Sequence, residues 1–304
     1  MEKLVLKGIF CLAALTLFVA CSSQKVQKVE SEEVRHGEAA GFCSPEQGPP
    51  FSYRKKVAVL AAEVRDPQRD LPALDVAWSD VLQKRLADSG RLLVVDASKQ
   101  HIHSGDMQRE WIIDLASRLD VQFVIAVKFH SLHVSQRQIG GGIYTINLPG
   151  ARRQIDAELV IFDGYSGAKI ARTFHSANAK GLAKNIVNQA HQPVLRGAFF
   201  DSLLGEAMAL VLASQVEEGL GKLACLPLMA RVVNVSGHEL RISTGGASFI
   251  RPGESLQLFR RYGMVESRLG PVDIVRVLPE SIIAVYRGEG NAPVFSKGLF
   301  VRAW

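Results

Sequence analysis

Four histidines and one run of glycines are the residues of this chain whose types and spacing could do chemistry. His101 and His103 stand two apart, and His130 and His133 stand three apart, so each pair could share a metal ion. Neither pair has a third ligand nearby, and surface or hydrogen-bonded histidines are the expected reading. Gly140-Gly141-Gly142 could cradle a phosphate, but a phosphate loop needs Lys-Ser or Lys-Thr after its glycines and a helix starting there. Neither follows, so a hairpin tip is expected instead. No serine stands in a nucleophile-elbow pattern, and no two carboxylates pair for acid–base work. The expectation is a protein that is not an enzyme and needs no metal or cofactor.

The cysteines carry a different chemistry. Lys3 and Lys7 precede an apolar run from Gly8 to Ala20, shorter than the ~20 residues of a membrane span and typical of an export signal. The run ends in Leu17-Phe18-Val19-Ala20-Cys21-Ser22, which resembles a bacterial lipobox, with Phe18 where leucine is usual. Cys21 is then the expected lipidation site, and Ser22 after it resembles the pattern of lipoproteins sent to the outer membrane. Each buried methylene of such an anchor contributes ~0.8 kcal/mol, so several acyl chains hold stably. With Cys11 lost in the signal, the exported chain keeps Cys43 and Cys225 in an oxidising compartment, where an even pair suggests a disulfide.

The elements that would position such groups can be read from period and punctuation. The chain has 304 residues, 47% hydrophobic and 22% charged, enough for two globular domains. Its net charge of +6 is scattered rather than run together, which argues against nucleic-acid binding. Residues 1–20 read as signal and 21–53 as a polar tether. An α/β domain is expected over 54–221 and a small all-β domain over 222–304.

Ile155, Ala157, Leu159 and Ile161 alternate with polar positions as a strand does. Asp163-Gly164-Tyr165-Ser166-Gly167 then supplies the chemistry of a tight reversal into a second strand, Ala168 to Ala177. Ahead of this hairpin come a buried strand at Val57–Leu60, a helix carrying Leu74, Trp78, Leu82 and Leu86, a strand at Leu92–Val95, and a helix over 108–119. A long strand from Val121 to Val134 follows, with a bend expected between Phe129 and Leu132. A long helix is expected to begin near Pro193, with Leu195, Phe199, Leu203, Ala207 and Leu210 on one stripe. Beyond the joint at 222–227, short strands alternate with turns such as Arg251-Pro252-Gly253-Glu254, the pattern of a small closed barrel, with Trp304 as its plug. The barrel segment holds ten Lys or Arg against six Asp or Glu. Arg251, Arg260, Arg261 and Arg268 are its candidate partner-contact residues.

The run Val121-Gln122-Phe123-Val124-Ile125-Ala126 and the phrase Leu159 to Gly167 resemble the TolB N-terminal-like module of periplasmic envelope proteins, which the flagellar assembly protein T family carries as its middle domain. Ile250-Arg251-Pro252-Gly253-Glu254, Val275-Arg276-Val277 and Ser281 to Val285 resemble the C-terminal SH3-like domain of the same family. The fold this implies is a TolB N-terminal-like α/β domain with a mixed sheet, followed by an SH3-like barrel. The family also has an N-terminal domain, which this sequence is expected to replace with its tether. The resemblance implies a lipoprotein of the flagellar basal body on the periplasmic face of the outer membrane, with ring proteins as partners and self-association in a ring. Two other readings are compatible with the residues: an activator of a peptidoglycan synthase, and a periplasmic ligand-binding protein.

If Cys21 is acylated, the native chain should partition into detergent, and Cys21→Ala should leave it soluble or unprocessed. Detergent phase separation of both forms decides the matter, and two soluble forms exclude the anchor.

Overall fold

The long apolar runs and the period-two stretches of the sequence assemble into one mixed sheet and one closed barrel. A computed structural model describes residues 52–100, 109–139, 146–188, 192–263, 265–289, 294–296 and 298–303. The signal segment, most of the tether, Cys21, Cys43, His101, His103, Gly140–Gly142 and Trp304 lie outside these residues. All the described residues fall within a single compact unit.

The sheet is built around β1, Lys55–Leu60, whose side chains are apolar on both faces from Val57 onward. Val57 and Val59 face one core, and Ala58 and Leu60 face another. β1 pairs in parallel with β3, Leu92–Ala97, and with β4, Phe123–Ser131, while the two-residue β2, Glu63–Val64, adds to β4. β4 pairs antiparallel with the upper half of β6, Ile146–Asp163. β5, Val134–Ile139, continues along the same edge of β6 after a break, so the expected long bent strand is two strands with a register shift between Phe129 and Ser131. β7, Lys169–Gly181, lines the other edge of β6.

Two helices cover one face of this sheet and a third covers part of the other. α1, Leu74–Asp88, buries Leu74, Trp78, Leu82 and Leu86, one per turn, and Gly90 at φ +67° ends it. α2, Arg109–Arg118, places Ile112, Leu115 and Ala116 over Ala58, Val124 and Phe162. α3, Leu203–Ala224, lies beside α1, where the Trp78 indole donates to Gln215 Oε1 at 3.0 Å inside the core.

α3 corrects the expected helix near Pro193. Leu195 and Gly197 adopt φ of +59° and +51°, which no helix tolerates, and a short 3₁₀ turn, Gly197–Asp201, intervenes. The helix starts at its cap, where Ser202 Oγ accepts from the Gly205 amide at 2.9 Å. Its buried stripe runs through Leu204, Met208, Val211, Leu212 and Gln215, whereas Leu210 is exposed.

Six strands close the barrel in the order β10-β11-β12-β9-β8-β13. They are β8, Leu228–Ser236, β9, Glu239–Ile242, β10, Ser255–Tyr262, β11, Val265–Val277, β12, Ile282–Tyr286, and β13, Leu299–Ala303. Leu240, Ile242, Leu258, Val272, Ile282, Ala284 and Val301 fill its interior. β11 starts seven residues before the expected Val272, because Arg268, Gly270 and Pro271 hide its first half from any alternation.

One ion pair stands inside the α/β core. Arg153 is fully buried and forks onto both oxygens of Asp70, with its Nε donating to the Leu132 carbonyl at the β4–β5 break. Asp70 also accepts from the Asn188 amide at 3.1 Å. Burial works to raise the Asp70 pKa, but these donors together hold it below the usual carboxylate range. The stability it contributes is therefore present above the unfolded carboxylate value of about 3.9 and lost as the pH falls through the lower folded value. Asp70→Ala, which strands a buried guanidinium, should cost about 3–5 kcal/mol at pH 7. It should also flatten the acid limb of a denaturation-against-pH profile, and a midpoint unchanged from the parent would refute this account.

Candidate partner-contact surface

The turn between β6 and β7 is where the two halves of the fold meet. The Asp163 carboxylate accepts from the Tyr165 amide at 3.3 Å and the Ser166 amide at 3.0 Å, and also from the Ser166 hydroxyl. Gly167 takes φ +67°, and a Cβ there would stand 2.5 Å from the Arg109 carbonyl. Gly164 donates to the Gln122 carbonyl at 2.7 Å, with no room for a side chain against Ala116. These constraints fix the turn against α2 and aim Tyr165 at the barrel.

Tyr165 is enclosed by the outer face of β8, β10 and β13. The Arg231 guanidinium lies 4.5 Å from its ring centroid and that of Arg261 5.8 Å, while the Phe300 ring is 5.7 Å away. Phe300 stacks on Phe259 at 5.5 Å, and Arg302 lies over Phe259 at 4.6 Å. Glu266 serves two of these arginines: Arg261 bonds its Oε1, and Arg302 its Oε2 at 2.6 Å. Burial works to raise the Glu266 pKa, and the two arginines overcome it and hold the pKa below its ordinary value. Burial pushes the Tyr165 hydroxyl well above its ordinary pKa, so the ring stays neutral. Arg231 Nε, Arg261 Nη1 and Arg302 Nε have no oxygen acceptor. Each of these guanidiniums lies over an aromatic face, and the ring quadrupole takes the acceptor's place.

Hydrogen bonds complete the joint. The buried Gln122 donates to the Pro227 carbonyl at 2.8 Å and accepts from the Met229 amide at 3.1 Å, tying β4's entry to β8. Lys56 Nζ reaches Asp120 at 2.5 Å and the Ser243 carbonyl at 3.0 Å. Ahead of β1 the chain already touches the barrel, with Tyr53 donating to Glu254 at 3.2 Å and the Arg54 amide to the Ser248 carbonyl at 3.1 Å. Lys55 is buried beside the end of α3, where its Nζ lies 3.4 Å from the Ala224 carbonyl, and burial lowers its pKa to about 8. Cys225, the next residue, is disulfide-bonded. Cys43, the partner expected for it, lies outside the described residues.

The four candidate arginines do not form one cluster. Arg261 is committed to the joint, with its side chain 15% exposed. Arg251 is exposed at a turn, and Arg268 is exposed on β11 with its Nε on Gln257 Oε1 at 2.8 Å. Arg260 points away from Arg261 and donates to the Val294 carbonyl at 3.5 Å.

The histidines separate as well. His130 Nε2 stands 2.7 Å from Glu158 Oε2, whereas His133 is exposed. Among the described residues no three metal-ligating side chains gather.

What the sequence reading missed is the part of the sheet that α2 leaves open. There Glu158, buried on β6, holds both His130 and Arg172, while Phe174 is half exposed between Arg172 at 4.8 Å and His130 at 5.8 Å. Burial acts to raise the Glu158 pKa, and its two basic partners bring it below the ordinary value. The signal for this cluster is parity: Glu158 shares the face of Val160 on β6, and Phe174 opposite Glu158 and Arg172 opposite Val160 share that face on β7.

Residues 46–184 match the family model described as flagellar assembly protein T, middle domain. No curated protein matches the chain. Among solved structures, the hypothetical protein CT253 from Chlamydia trachomatis is similar at 18% identity and a TM-score of 0.40, over 56% of this chain and 98% of that one. Lipoprotein GNA1162 from Neisseria meningitidis is similar at 12% identity and a TM-score of 0.33, over 54% and 99%. The LpoB C-terminal domain from Escherichia coli is similar at 10% identity and a TM-score of 0.26, over 41% and 82%.

Because Tyr165 is held by cations and rings on the other side of the joint, Tyr165→Ala should cost about 2 kcal/mol and expose the 225–227 segment to protease. Arg261→Glu should destabilise comparably by setting two carboxylates side by side. Arg251→Glu and Arg268→Glu should stay within about 0.5 kcal/mol of the parent. Chemical denaturation with limited proteolysis reads all four, and an unchanged Tyr165→Ala midpoint would exclude the joint as a stabilising contact.

Proposed function

From the match of residues 46–184 to the flagellar assembly protein T middle-domain family, we propose that this chain is a structural, non-catalytic part of the flagellar basal body. In this reading a lipid on Cys21 holds it to the periplasmic face of the outer membrane. It associates there with copies of itself and with basal-body ring proteins around the rod. The family match is the observation that carries the proposal.

The geometry supports it in kind. A ring component works by placement, and placement needs domains that keep their mutual orientation. The joint around Tyr165, with Gln122, Lys56 and Arg54 bonded across it, supplies that constraint between the sheet and the barrel. The open face carrying Glu158, Arg172 and Phe174, the exposed Arg251 and Arg268 and the half-buried Arg260 are then surfaces at fixed positions for neighbours.

Deleting the gene should impair swimming and lower the number of intact flagella, while growth and cell-wall integrity stay normal. Truncation before Leu228 should weaken assembly separately, because it removes the whole barrel. A swimming assay beside a test with wall-targeting antibiotics is the measurement. Normal swimming with antibiotic hypersensitivity would replace the ring role with activation of a peptidoglycan synthase.

A further inference from the structure

The end of the β10–β11 hairpin projects past the closed part of the barrel. Tyr262 pairs with Val265 across a turn that Gly263 enters at φ +57°. The segment at 294–296 joins this tip, because Arg260 donates to the Val294 carbonyl and the Arg261 amide donates to the Gly298 carbonyl at 2.9 Å. Four large hydrophobic side chains on these two segments are exposed: Tyr262 is 64% exposed, Val265 66%, Val294 82% and Phe295 47%. Arg260 lies among them, its guanidinium 5.9 Å from the Tyr262 ring.

The hairpin that carries this patch is net positive, with Arg260 on the patch's own side and Arg261, Glu266 and Arg268 on the other. Between Gln257 and Leu269 there are three arginines, Arg260, Arg261 and Arg268, against a single carboxylate, Glu266. Glu266 is occupied by Arg261 and Arg302. Among the described residues neither Arg260 nor Arg268 has a carboxylate partner.

From this composition and shape we infer that the tip is a membrane-contact element that dips its apolar side chains into an anionic lipid surface. Tyrosine and phenylalanine favour the interface between headgroups and acyl chains, and an arginine on an apolar surface turns its charge to the phosphates. The shape argues for lipid over a protein partner. A stable protein interface engages about 20–30 residues a side, whereas this patch is four side chains on a hairpin end and the short segment bonded to it. A lipid surface needs no such complement, since it closes around whatever projects into it. The inference does not rest on the ring reading and would hold for any envelope role.

The test uses the full chain with vesicles of phosphatidylethanolamine and phosphatidylglycerol whose acyl chains carry bromine, a short-range quencher of tryptophan. A Val294→Trp variant reports from the tip, and a Val275→Trp variant reports from a position that is also exposed, ten residues along β11 from Val265. The added fluorescence of Val294→Trp should be quenched, and that of Val275→Trp should not. Because the comparison is between two positions, an anchor at Cys21 does not imitate the result. Arg260→Glu or Tyr262→Ser with Val265→Ser, introduced into Val294→Trp, should lose the quenching while keeping the parent's circular dichroism, and Arg260→Lys should retain it. Replacing phosphatidylglycerol with phosphatidylcholine should weaken it. Absence of quenching at position 294, or equal quenching at both positions, would overturn the inference.

Discussion

A single tyrosine ring on a five-residue turn governs how the two halves of this protein stand to each other. Tyr165 can reach the barrel only because Asp163 ties the turn's amides and Gly164 and Gly167 let it press against α2 without side chains in the way. On the barrel side, Arg231, Arg261 and Phe300 on three strands meet the ring, and Phe259 and Arg302 stack in turn behind Phe300. Lysine would not serve as well, because a flat guanidinium can lie on a ring while its edge still bonds a carboxylate. Arg261 does both, stacking near Tyr165 and Phe300 while bonding Glu266. Crowding three cations is costly unless charge is returned, and the one carboxylate and the ring faces return it.

Much of this architecture was legible because it depends on local rules. The β6–β7 hairpin announces itself through alternation and an Asp-Gly turn, and the barrel through turns at regular intervals. The bend after Phe129 was visible as a change of parity, and the structure puts a register shift there. The start of α3 was not read, although Ser202 stands at its cap, because Leu195 and Phe199 extend the apolar stripe backward across a backbone break. Apolar spacing carries no record of φ, and Leu195 at +59° is a leucine like any other in the sequence.

The buried polar groups were harder to see for a deeper reason. Arg153 shares the parity of Ile155, Ala157, Leu159 and Ile161, so its position on the core face follows from the alternation already read. What the alternation cannot show is the acid that makes this tolerable, since Asp70 is 83 residues away in a loop. The same holds at the joint: Arg231, Arg261 and Arg302 sit on three strands and look like scattered surface charge until the barrel closes. A count of charges treats Arg260 and Arg261 alike. The pleat sends them to opposite sides, one into the joint and one to the free tip.

That division of neighbouring residues bears on how the proposed structural role could work. On β10, odd positions such as Phe259 and Arg261 hold the barrel to the α/β domain, and even positions such as Arg260 and Tyr262 face away at the hairpin's end. One strand therefore carries both the contact that fixes the barrel's orientation and the side chains offered outward. Because a strand is stiff over this length, the outward group inherits its direction from the inward one. Whatever meets the tip is placed relative to the sheet, its open Glu158–Arg172 face and the disulfide-bonded Cys225 at the end of α3, with little freedom between them. An anchored chain with a swivelling barrel would present the tip at many angles. The Tyr165 joint instead presents it at one, and that is the property an assembly built from repeated copies would require of each subunit.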